Sequence, residues 1–167
     1  MRYWTLLNLE HLNSYLNDHL AGSVGALELL DRLIEIYTEK PLEGFFRDLR
    51  DEIEADQEIL KNLIASLGQE ESTVRKAGAW VVEKLSRAKI QPGETEKGEM
   101  GLFLALEGLA LGITGKRALW RALAAASATI PQLRPLDYGT LENRAVEQHD
   151  RVEAKRLEIA RGLFQSS

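Results

Sequence analysis

The chain of 167 residues contains no cysteine. Disulfides, thiolate nucleophiles and thiolate metal ligands are therefore excluded, and a reducing compartment fits. An excess of basic charge is also missing: 21 Lys and Arg stand against 26 Asp and Glu, a net charge of −5. Nucleic-acid binding needs a basic face, and neither end carries a basic tail to supply one. No segment alternates apolar and polar residues in the way of a half-buried strand. The opening MRYWTLLNLEHLNSYL lacks the continuous apolar core and small-residue cleavage site of a secretory leader. The apolar run over 100–115 is too short and too glycine-rich for a membrane span, which needs about 20 apolar residues. These absences give the expectation of a soluble cytoplasmic protein with no nucleic-acid or membrane partner.

What is present is helical periodicity. Hydrophobic residues make up 44% of the chain and charged residues 28%, ordinary values for one domain over 1–167. A first helix is expected from about Asn8 to Glu39, carrying two adjacent stripes. One runs through Leu16, Leu20, Leu27, Leu30 and Ile34, the other through Tyr15, His19, Gly22, Ala26, Leu29 and Leu33. The small patch Ala21, Gly22, Gly25 and Ala26 suggests a close helix crossing. A second helix should start at Pro41 and end at Gly68, with Phe46, Leu49, Ile53, Asp56, Leu60 and Leu63 inward. A shorter helix is expected over Ser72–Ala88, with Glu83 and Arg87 paired at i,i+4, and a loop over Gln91–Gly98. The next helix is expected to break near Gly112–Gly115 and resume over Lys116–Ala128. Pro131 and Pro135 bracket a turn, and Asp137 caps a last helix to about Phe164.

The stretch MGLFLALEGLALGITG, Met100 to Gly115, holds a single charge, Glu107. A helix apolar on every side is buried on every side, and the stripe Gly101, Ala105, Gly108, Gly112, Gly115 would let a neighbouring backbone approach. A carboxylate there needs a cation, a hydrogen-bond network, a metal or a proton. The same holds for Asp56 on the inward stripe of the second helix, and candidate partners for the two carboxylates are Arg144, Arg151, Lys155, Tyr15 and Gln148. The pattern GITGK lacks the phosphate-loop spacing and follows no strand. Trp4, Trp80 and Trp120 are scattered and read as rim packing or interface. The apolar Met1–Leu9 segment and the small-residue ridge offer two surfaces for a homodimer.

Three stretches, LNDHLAGS (16–23), RDEIEADQEILKNLI (50–64) and LEGLALGITGKRALWRAL (106–123), together with the pair of long opening helices, resemble the ferritin-like superfamily, and within it an uncharacterised bacterial branch. The resemblance implies an all-α, antiparallel four-helix bundle with a short additional helix. In active members it implies a di-metal site, with Glu from two helices and Glu-x-x-His from two others. Here His11, His19 and His149 follow Asn8, Leu16 and Val146 at that spacing, so no Glu-x-x-His exists and no ligand carries over. His11 and His19, about 12 Å apart along a helix, cannot share one ion. The expectation is a non-enzymatic structural or interaction protein with no catalytic residue and no cofactor. The alternative is a divergent metal-storage or metal-dependent oxidoreductase, holding iron or manganese on Glu107, Asp56, Gln148 and His149. A third reading, a small-molecule binding bundle, requires a cavity.

Overall fold

Long runs at 3-4 spacing make long helices. The computed structural model describes residues 2–69 and 96–165, with side chains over 9–69 and 98–165. Among them the chain forms four α-helices and no strand: α1 (Arg2–Ile36), α2 (Glu43–Ser66), α3 (Glu96–Ala126) and α4 (Tyr138–Phe164). A 3₁₀ turn, Pro131–Leu133, joins the last two. The expected helix over Ser72–Ala88 and its Glu83–Arg87 pair lie outside the described residues, as do Trp80 and the side chains of Met1–Asn8.

The apolar stripes meet in one core. Leu16, Leu30 and Leu33 of α1 face Phe46, Leu49 and Ile64 of α2, all fully buried, and α3 contributes Leu106, Leu109, Trp120 and Leu123. Each such side chain contributes about 1.5–3 kcal/mol when removed from water. Helix α1 packs chiefly on α2, α3 chiefly on α4, and α1 also touches α3. Ala145 and Val152 close the α4 side.

The helix ends follow local chemistry. At the α1–α2 corner Glu39 takes a positive φ of 61°, and its N–H donates to the Glu43 carboxylate at 2.6 Å. That bond offsets part of the cost of a side chain in the left-handed region. Gly68, at φ 68°, closes α2 as expected, and the Gln69 N–H reaches back to the Ile64 carbonyl at 3.3 Å. Asp137 caps α4 by accepting from the Thr140 N–H at 3.1 Å.

Four expectations are corrected. Helix α1 begins at Arg2, not near Asn8, because nothing in the opening residues forbids the backbone from continuing. Helix α3 begins at Glu96, inside the expected loop, and runs unbroken through Gly112–Gly115. Its ladder is continuous there, and the Thr114 hydroxyl adds a bond to the Ala110 carbonyl at 2.9 Å. Nor is α3 buried on every side: Leu104 and Leu111 are exposed. The unbroken stretch Gly98–Ala126 is long and apolar enough, by length and composition alone, to cross a membrane, and 44% of its apolar window is buried in the protein.

Candidate functional site

The continuity of α3 builds the site. With no break, Ala105, Leu109, Gly112, Ile113, Lys116, Leu119 and Trp120 form one stripe, and the second stripe of α1 comes to face it. Between them, closed at one side by α2, lies a cavity of about 390 Å³. Tyr15, His19, Gly22, Ala26 and Leu29 line it from α1, and Ile53, Asp56, Gln57 and Leu60 from α2. Four of the glycines expected to admit a neighbouring backbone do something else. A Cβ built on Gly22, Gly108, Gly112 or Gly115 meets nothing within 4 Å, so these residues border open space.

One end of the cavity is polar. Asp56, 4% exposed on α2, accepts from the Lys116 ammonium at 2.6 Å and from the Arg144 guanidinium. It also accepts from the Gln148 amide at 3.3 Å, while the Gln148 carbonyl oxygen accepts from Lys116. A buried carboxylate is thus bound by donors from α3 and α4, the arrangement that its desolvation requires. Burial pushes the Lys116 ammonium down to about 7 from its usual 10.5, with the Glu52 carboxylate pulling the other way. Glu52 itself pairs with Arg151 at 2.5 Å.

Two buried donors are left over. The Trp120 indole nitrogen and the Arg144 Nε are shielded from solvent and find no acceptor among the described residues. Trp120 is 1% exposed and lines the cavity, whereas Arg144, bonded to Asp56, lines a separate surface depression with Glu52, Glu147, Asp150 and Arg151. Elsewhere in the lining His19 stands edge-on to Tyr15, with ring centroids 4.7 Å apart. Desolvation holds the His19 pKa below its usual 6.5, opposed by Asp18. Gln57 donates to the Ser23 hydroxyl at 2.9 Å, which ties α2 to α1 beside the cavity.

Of the four candidate ligands, the structure brings Asp56 and Gln148 together and leaves the other two apart. Glu107 meets Arg156 on α4 at 3.3 Å, with 40% of its side chain exposed. Its expected burial is therefore corrected: α3 turns Glu107 toward the α4 edge, where a half-exposed carboxylate keeps much of its water. The partner of Glu107 does lie on a neighbouring helix, but it is Arg156, not one of the candidates; for Asp56 two of the expected partners, Arg144 and Gln148, are in place. His149 lies 3.3 Å from its chain neighbour Asp150. Among the described residues no group of three or more His, Cys, Asp or Glu side chains is placed to hold a metal ion. Sequence reasoning missed Lys116, because an expected break at Gly112–Gly115 hid its phase. Its spacing of three from Ile113 and four from Trp120 was the available signal.

Comparison with family models, with curated proteins and with solved structures finds no match to this chain. Fold and site define its class directly: an all-α bundle with an apolar cavity anchored at one end by a buried ion-pair network.

Proposed function

We propose that this chain is a non-enzymatic binding protein that takes one small, largely apolar molecule into the cavity between α1, α2 and α3. The observation that carries this reading is the cavity itself. Its volume of about 390 Å³ falls within the usual range of ligand sites, and aliphatic walls with a few convergent polar groups are their usual lining. Four glycines that border it leave space which alanine would begin to fill. The helix lengths and order also suit an antiparallel ferritin-like bundle, whose sites are built from side chains on facing helices. Metal binding at Asp56 is the weaker reading, since its oxygens already serve Lys116, Arg144 and Gln148.

The test is titration with phenylnaphthylamine, a neutral apolar dye that brightens when shielded from water. Saturable binding at one site per chain is expected, and Gly108→Leu, which places a side chain in the cavity, should remove it. Absence of saturable binding, or binding unchanged in the filled variant, would sink the reading.

A further inference from the structure

We infer that the molecule held in the cavity carries a protonated amine, seated at the Asp18 carboxylate beside Tyr15, with its apolar remainder against the aliphatic walls. This rests on the binding reading above and adds the chemistry of the ligand.

The charges of the lining leave one carboxylate over. Three of the lining side chains carry charge: Asp18, Asp56 and Lys116. Asp56 and Lys116 answer each other at 2.6 Å. Arg144, the second cation on Asp56, lines the separate depression with Glu52, Glu147 and Asp150. Burial, which disfavours the Lys116 ammonium, only lowers the positive side of this balance. Asp18 remains, and no cation among the described residues pairs with it. Its neighbour His19 does not supply one, because desolvation holds that imidazole below its usual 6.5 and so neutral near pH 7.

The open polar groups beside it are acceptors as well. A carboxylate only accepts, and a phenol hydroxyl offers two lone pairs. Neither the Asp18 carboxylate nor the Tyr15 hydroxyl is hydrogen-bonded to a described residue. Asp18 stands three residues after Tyr15 and four before Gly22, which puts the three on one face of α1, and all three line the cavity. Asp18 is exposed, so a ligand can reach it. An ammonium brings three donors and a positive charge, and a carboxylate head group in the same place would meet Asp18 as a like charge. Water screens a pair at an exposed site, so its worth is that of a surface ion pair, a few-fold in affinity.

The experiment displaces bound phenylnaphthylamine with decylammonium, decanol and decanoate at neutral pH and low salt. The three share one tail and differ in head group. Decylammonium should displace the dye at a concentration about three- to fivefold lower than decanol, with decanoate the weakest. In Asp18→Asn, which keeps the shape and removes the charge, the dye should still bind while decylammonium falls level with decanol. Asp48→Asn removes the same charge from an exposed position of α2 outside the lining and should leave the advantage in place. Equal displacement by all three compounds in the native protein, or a lead for decanoate, would overturn the inference while leaving the cavity reading intact. So would an advantage that survives in Asp18→Asn, or one that falls as far in Asp48→Asn. Failure of the dye itself to bind would overturn both.

Discussion

Asp56 is the residue on which the stability of the polar end turns, because removing it strands two cations while removing either cation leaves it still paired. Breaking a buried pair by deleting one partner costs about 3–5 kcal/mol when an uncompensated charge remains. Asp56→Ala is therefore expected to lose about that much in urea denaturation. Lys116→Met should be close to neutral, since Arg144 and Gln148 still serve the carboxylate and a desolvated charge is gone. Lys116 also gives the stability a pH slope. Above pH 7 the folded side chain has released a proton that the unfolded chain keeps up to about 10.5. The unfolded state then binds more protons, so this group's contribution rises with pH across that window. Urea denaturation of the native protein and of Lys116→Met at pH 7 and at about pH 9 should show the extra rise in the native protein alone. Glu107 is the contrasting case: half-exposed, paired with an arginine that also serves Glu153. Glu107→Ala should cost less than about 1 kcal/mol, and a loss of several would restore it to the core.

At the scale of the element, much was legible. The inward stripe of α2 was readable residue by residue, from Phe46 through Asp56 to Leu63, because an amphipathic helix with a densely charged opposite face has only one phase. The cap at Asp137 and the stop at Gly68 were readable because each rests on one local hydrogen-bonding pattern. Helix α3 was harder. Glycine lowers helix propensity without forbidding the helix, so its continuity through Gly112 and Gly115 depends on packing with α4 and α1, which lies outside the sequence window. For the same reason a ridge of glycines could be read as a contact when it borders a void. These glycines give a sharp prediction. Gly112→Ala adds a methyl that meets nothing within 4 Å in a helix interior, so it should stabilise the fold by about 0.5–1 kcal/mol. A destabilised variant in thermal denaturation would mean that another backbone does press on this face.

For the whole molecule, the pairing of α1 with α2 and of α3 with α4 leaves the cavity where the two halves meet, and Asp56 ties them through Lys116 and Arg144. That junction could not be read from the sequence, since it joins residues 60 and 88 positions apart whose phases were known only helix by helix. A ligand that binds the native state alone must stabilise it by mass action, and one seated there would brace both halves. The central claim, an occupied cavity beside Trp120, is tested most directly by the indole N–H signals of the three tryptophans in a nitrogen-15 correlation spectrum. The Trp120 signal, assigned by its loss in Trp120→Phe, should shift progressively and saturate as phenylnaphthylamine is added. A Trp120 signal that stays fixed while the dye reaches saturation would contradict the account.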